Sequence, residues 1–188
     1  MKSKITLLLF AFFLGISTSV FSQIKEIRPS DSTIKWIGKK TNGQHKASLK
    51  FVNGHLQMEN GTITGGEFLL DMTELVVTGL VPGNGKERLE GHLYSENFFD
   101  VRNHKTATLI ITDVEKNGND FKMKGNLTLK GKTNPVSFNL ALSGDSAATK
   151  VMVNPAEYGF TNIPDYVVDN QGDKLVYDDF ELDMVLKM

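Results

Sequence analysis

The chain carries four histidines, His45, His55, His92 and His104, and no cysteine. Histidine is the side chain best suited to proton transfer near neutral pH, and with thiolates or carboxylates it makes the common metal sites. Neither chemistry finds its spacing here. No two histidines stand in H-E-x-x-H or another compact ligand pattern. A G-x-S-x-G elbow, a phosphate-cradling glycine loop and a dinucleotide fingerprint are all lacking. The acids Asp165, Asp169, Asp173, Asp178 and Asp179 gather near the C-terminus, but "DNQGD" does not follow the ligand order of an EF-hand and reads as solvated loop. Asp71 and Asp100 follow apolar stretches and suit the capping of turns or helix ends. The residues therefore name no catalytic group, no metal site and no cofactor. One enzymatic alternative stands: a lipid-modifying activity using His45 or His92, which requires a carboxylate or hydroxyl beside the imidazole.

The chemistry the sequence does offer is apolar. Phe51, Phe68, Phe121, Phe138 and Phe180, with Met72, Met123, Met184 and Trp36, recur on one side of alternating segments. In "FKMKGNLTL" the residues Phe121, Met123, Gly125, Leu127 and Leu129 fall on one face and lysines, Asn126 and Thr128 on the other. "VSFNLAL" and "FELDMVLKM" repeat the pattern, with shorter versions in "STIKWIG" and "EFLLDM". Strict alternation argues half-buried antiparallel strands, about eight of them. Asn53-Gly54, Asn60-Gly61 and Asn117-Gly118 read as hairpin turns, and "KGKTNP" links two strands with Pro135 at a strand edge. Polar outer faces and apolar inner ones are the reverse of a membrane barrel. The alternation leaves two architectures open: a filled β-sandwich, acting as a ligand-free interaction module, and a closed eight-stranded barrel able to hold one ligand. Flexible methionines suit an interior that must fit a chain-like guest, and equally an ordinary core.

Two stretches break the pattern, residues 73–101 and 154–174. The second is rich in turn formers. In the first, "KERLEGHLYSENFF" puts Leu89, Leu93 and Phe98 or Phe99 at roughly helical spacing, which predicts a short helix near residues 86–99. Phe98 and Phe99 are expected either to plug a barrel end or to form a lid over a ligand.

The N-terminus has a different character. Lys2 and Lys4 precede an uncharged apolar run, Ile5 to Ile16, and small residues lead to Ser22. This three-part pattern is that of a cleaved signal peptide over residues 1–22, with Gln23 the expected first residue of a single domain, 23–188. A periplasmic or secreted location follows, and the absence of cysteine suits a fold held by packing alone. The formal net charge of −1 drops by two when Lys2 and Lys4 leave, a poor balance for nucleic acid or anionic membrane surfaces. No later run is apolar enough for stable membrane insertion as a helix. A homodimer is left open.

"LEGHLYSENFFDV" resembles the leucine-x-x-His-Leu-x-Ser-x-x-Phe-Phe-Asp-Val signature of the YceI-like family, and "STIKWIGKKTNGQHKASLKF", "GTITGGEFLLDM" and "GNLTLKGKTNPVSFNL" resemble three further motifs of it. The resemblance implies an all-β, lipocalin-like antiparallel barrel that is exported and binds a long apolar lipid of polyisoprenoid, isoprenoid-quinone or fatty-acyl type, for storage or transport and without catalysis. His45 and His92 lie in these motifs, where two readings stand: a satisfied structural histidine, or a group that orients a polar lipid head. The family's Asp-Arg-x-x-Tyr-Gly pattern is altered here: Tyr158 and Gly159 are kept, with Asn154 and Pro155 in place of the aspartate and arginine.

Overall fold

The structure, a computed structural model, describes residues 22–40, 43–118, 120–160 and 179–188. The expected signal peptide, except Ser22, and the acids Asp165, Asp169, Asp173 and Asp178 lie outside the described residues. The strands are β1 (Ser22–Glu26), β2 (Thr33–Lys40), β3 (Gly43–Glu59), β4 (Thr62–Thr78), β5 (Thr106–Asn117), β6 (Asp120–Leu129), β7 (Lys132–Ser143), β8 (Ser146–Val153) and β9 (Phe180–Lys187). Among the described residues one α-helix, α1 (Lys86–Tyr94), follows β4, and a 3-10 turn, Pro155–Tyr158, follows β8.

Antiparallel ladders join β3, β2, β9, β8, β7, β6, β5 and β4 in that order, and β4 pairs back onto β3. Eight strands thus close into a barrel, which settles the choice against a sandwich. β1 is a ninth strand that pairs with the second half of β3, Ser22 opposite Glu59, while β2 pairs with the first half. Closure removes the free edges an open sheet would expose. Inside lies one continuous core, and the buried polar side chains among the described residues are His45, His92 and Thr149.

Two hairpins follow the turn chemistry closely. Asn60 and Gly61 have φ of 49° and 77°, and Lys130 and Gly131 have 50° and 70°. Two central residues at positive φ make the two-residue turn whose twist matches paired strands. Asn53-Gly54 is different. It lies inside β3, at a register shift between Phe51 and Asn53, and not in a hairpin. The glycine is needed there for space, because a Cβ on Gly54 would come within 2.5 Å of the Phe68 ring. Residues 73–78 also differ from expectation: they continue β4. An irregularity between the Lys50–Asp71 and Ser48–Val76 pairs moves the inward phase from Met72 to Leu75, so simple alternation fails across a strand that is continuous.

One ladder is incomplete. β7 meets β8 only from Leu140–Thr149 to Ser143–Ser146, so Lys132–Asn139 of β7 have ladder partners on β6 alone. Pro135 therefore sits where β7 is locally an edge, as its missing N–H demands. The Thr149 hydroxyl donates to the Asn139 carbonyl at 2.6 Å, at the point where the strands part. Beyond it the 3-10 turn packs back against the β6–β7 hairpin, with Asn134 Nδ2 donating to the Glu157 carbonyl and Lys130 Nζ to that of Gly159, both at 3.1 Å.

Trp36 places its indole along the inner wall over Gly38, where a Cβ would lie 2.3 Å from the ring. Gly38→Ala is expected to lower stability by about 1–3 kcal/mol through this overpacking. Urea unfolding followed by the emission of the sole tryptophan measures it, and an unmoved midpoint would place the indole elsewhere.

Candidate functional site

The site is built at the end of the barrel covered by α1. Gly83 and Gly85 turn the chain out of β4 at φ of 77° and 91°, and the Glu87 carboxylate accepts from the Gly83 N–H at 3.0 Å. Hydrogen bonds from its own backbone N–H and, after it, from that of Gly83 hold the Glu87 pKa below the usual carboxylate range. Glu90 Oε1 accepts the Val77 N–H at 2.9 Å, and the Tyr94 hydroxyl lies 2.7 Å from the Thr73 carbonyl. Both tie the helix to β4. Leu89, His92 and Leu93 then form the buried stripe of α1, at the three- and four-residue spacing of one helix face.

The helix ends at Tyr94, so Phe98 and Phe99 belong to the turns that follow it. Phe99 N–H donates to the Leu93 carbonyl and Asp100 N–H to that of Ser95, with Asp100 at φ 49°. Neither helix nor strand geometry applies to such a turn, and two consecutive rings can both point inward. Phe98 and Phe99 are both buried, with centroids 4.7 Å apart at an interplanar angle of 83°. Phe160 stacks on Phe98 at 4.6 Å and 19°, and Phe180 lies 6.1 Å from Phe160. Trp36 meets Phe98 edge-on at 5.9 Å, and the His92 ring is 5.5 Å from it. Edge-to-face and offset pairs of this kind add to the stabilisation from burial alone.

All thirteen residues singled out from the sequence are buried: Trp36, Phe51, Phe68, Met72, Phe98, Phe99, Phe121, Met123, Phe138, Phe180, Met184, His45 and His92. They fall into separate groups. Trp36, His92, Phe98, Phe99 and Phe180 converge at the helix end. Phe51 and Phe68 form their own edge-to-face pair at 6.2 Å, and Met123 stands opposite Phe138 across the β6–β7 ladder. Sequence reasoning missed Phe160, and it named Tyr158 only as part of the altered family pattern and not as a lining residue, because both lie in a stretch without periodicity. The Tyr158 hydroxyl donates to the Leu127 carbonyl at 3.3 Å, and burial pushes its pKa up to about 12. Asn154, in the altered family pattern, caps the 3-10 turn by accepting the Ala156 N–H at 3.1 Å, with Pro155 in the first turn. The position serves local structure without an ion pair.

Electrostatically the site is bare. Trp36 Nε1 and His92 Nε2 are the buried side-chain polar atoms among the described residues that make no hydrogen bond. Asp71 lies within β4, not at a turn, and accepts from the Thr73 N–H at 2.8 Å; Asp100, in the turns after α1, accepts from Asn103 Nδ2 at 3.0 Å. Burial penalises the imidazolium and lowers the His92 pKa below its ordinary 6.5. Among the described residues, no carboxylate is seen hydrogen-bonded to His92 Nε2 in the way an orienting acid holds a general base.

The same burial has a consequence for stability. Below the ordinary value of 6.5 the unfolded chain takes up a proton at position 92 that the folded chain resists. The contribution of His92 is therefore fully present above that pH and declines as the pH falls through it. His92→Leu is expected to flatten the loss of stability between pH 7 and about 5. Urea midpoints across that range compare the two proteins, and parallel curves would show that His92 is readily charged in the fold.

The profile of the YceI-like domain matches residues 26–188. A UPF0312 protein of Pectobacterium atrosepticum is 43% identical over 67 residues, covering 36% of this chain and 34% of that protein. A UPF0312 protein of Yersinia pestis is 39% identical over 75 residues, covering 39% of this chain and 38% of its own length. The matched stretch thus spans little more than a third of these curated relatives. Among solved structures, BcnA of Burkholderia cenocepacia superposes with a TM-score of 0.66 at 14% identity, over 85% of this chain and 98% of that one, a likeness of fold. The family is one of binding proteins and not of enzymes. With its profile matched from Glu26 to the last strand of the barrel, the chain belongs to the YceI-like family.

Proposed function

We propose that the protein is exported and holds a long apolar chain, of polyisoprenoid, isoprenoid-quinone or fatty-acyl type, inside its barrel for storage or transport. The observation that carries this reading is the lining of the closed barrel. Its inward positions are phenylalanine, methionine, leucine and other apolar residues, and His45, His92 and Thr149 are the polar exceptions among the described residues. An eight-stranded barrel is wide enough for its own side chains or for one slender guest. Met72, Met123 and Met184 supply unbranched side chains that can repack around such a guest. A hydrocarbon chain gains roughly 25 cal/mol for each Å² removed from water, so affinity needs few polar contacts. Family membership and the N-terminal pattern of Lys2, Lys4 and the apolar run support the same reading.

Native mass spectrometry on protein produced with its own N-terminus tests this directly. The expected result is a stoichiometric adduct that organic extraction identifies as a long-chain lipid, on a periplasmic protein whose first residue is Gln23. A clean mass, with no uptake of added prenyl or acyl lipid, would mark the interior as a filled core. Phe138→Asp is expected to lose the adduct, since the Met123–Phe138 pair faces inward. Lipid kept by a folded Phe138→Asp protein would remove that pair from the lining.

A further inference from the structure

Both ends of the barrel are packed shut. At the helix end Trp36, Phe98, Phe99, Phe160 and Phe180 stand ring against ring. At the other end, beside the hairpins, Ile63, Leu140 and Leu186 are each 1% exposed. A guest therefore enters where the structure gives way most easily, and much of the wall is held by long ladders. β6 and β7 pair from Asp120–Ala141 to Leu129–Lys132, and β8 and β9 from Ser146–Lys187 to Val153–Phe180. β4 and β5 part beyond Asp71–Thr106, but α1 lies against β4 there with Leu89 and Leu93 deeply buried.

The wall between β7 and β8 is built differently. Its ladder ends at Leu140–Thr149, where the Thr149 hydroxyl takes up the Asn139 carbonyl. Past the split, among the described residues, the wall is completed by residues 154–160, a strap tied on by side chains. Asn134 Nδ2 donates to the Glu157 carbonyl and Lys130 Nζ to that of Gly159. Tyr158 reaches past β7 to the Leu127 carbonyl of β6. Such bonds break singly, each at small cost, whereas a ladder opens as a unit. The interior also comes nearest to solvent here. Val136 and Phe160, both at 8%, are the most exposed of the buried apolar side chains among the described residues, and Phe138 is at 7%.

We propose that the split between β7 and β8 is a side entrance through which the apolar chain enters and leaves the barrel, with residues 154–160 as the strap that swings aside. This rests on the reading of the barrel as an apolar-chain binder. Tyr158 is the catch. Its side chain is fully buried, and of the three bonds that tie the strap only its own is shielded from water.

The absence of cysteine permits a direct test. Lys132→Cys with Glu157→Cys, both at exposed positions, ties the strap to β7 through a cleavable bis-maleimide. Lys35→Cys with Asp183→Cys, opposite each other on β2 and β9, carries the same linker as a control. Uptake of a polyprenol from phosphatidylcholine vesicles, and its release to an excess of empty ones, are followed by native mass spectrometry. The strap cross-link is expected to slow both roughly tenfold with the final loading unchanged, and cleavage to restore them. Tyr158→Phe is expected to speed both about fivefold, since loss of one buried hydrogen bond eases opening. Unchanged rates in the cross-linked protein would overturn the side entrance, and so would equal slowing by the β2–β9 cross-link. Hydrogen exchange on the wild-type protein decides the matter even if no variant folds. The amides of residues 156–160 should open faster than those of the β8–β9 ladder, and equal protection would overturn the moving strap. If the wild-type protein takes up neither polyprenol nor a long-chain fatty acid, the apolar-chain reading itself has failed and the entrance falls with it.

Discussion

The whole interior depends on one closure, the antiparallel ladder between β2 and β9 that runs from Thr33–Val185 to Ile37–Glu181. It joins strands from opposite ends of the chain. Without it the remaining strands would be an open sheet with a continuous apolar face and two unpaired edges, an arrangement prone to association. With it, the inward side chains from Ile34 to Leu186 are buried in one core. Such pairing is non-local, so its loop-closure entropy must be met before burial rewards it.

Closure alone does not make a site. The two barrel ends differ because only one receives α1, the turns after it and the 3-10 turn. The Val77 N–H donating to Glu90 and the Tyr94 hydroxyl donating to the Thr73 carbonyl fix the helix on β4, and the helix in turn fixes where Phe98 and Phe99 can go. The aromatic cluster seals this end, while the β7–β8 ladder stops at Leu140–Thr149 and leaves the wall there to be completed by the chain near Tyr158. Chain binding and core packing use the same side chains. What separates the helix end from plain core is the pair of polar atoms, Trp36 Nε1 and His92 Nε2, that packing leaves unmet.

Charge plays a lesser part and lies outside. Lys50–Glu74 at 2.8 Å, Lys124–Asp113 at 2.9 Å and Lys150–Glu181 at 2.8 Å all bridge neighbouring strands on the outer face. Each raises its lysine's pKa through a hydrogen bond to the carboxylate, yet the lysines are solvent-exposed and such pairs contribute little to stability. Their use is register: opposite charges across a ladder favour one pairing over its slipped neighbours. The polar face thus supports a fold whose energy comes from the apolar one.

Alternation by itself determined that Phe121, Met123, Phe138, Phe180 and Met184 are inward and that the class is antiparallel β, because a period of two is a local property of an extended chain. Asparagine-glycine at 60–61 likewise carried its turn in its own backbone preference. Local rules failed where the register between β3 and β4 shifts. In β3 the inward phase passes from Phe51 to Gly54, and in β4 from Met72 to Leu75, so Asn53-Gly54 looked like a turn and residues 73–78 like a break. A bulge answers to the curvature of a closed barrel, which no short window contains. The same holds for the site. That Phe98 and Phe99 could both be buried required a turn with Asp100 at positive φ, and that Phe160 stacks on Phe98 required a segment without any periodicity to return to the helix end. The residue types of the site were readable in order along the chain; their meeting at one ring was decided only in three dimensions, since contact between residues 36, 92, 98, 160 and 180 is a property of closure and not of spacing.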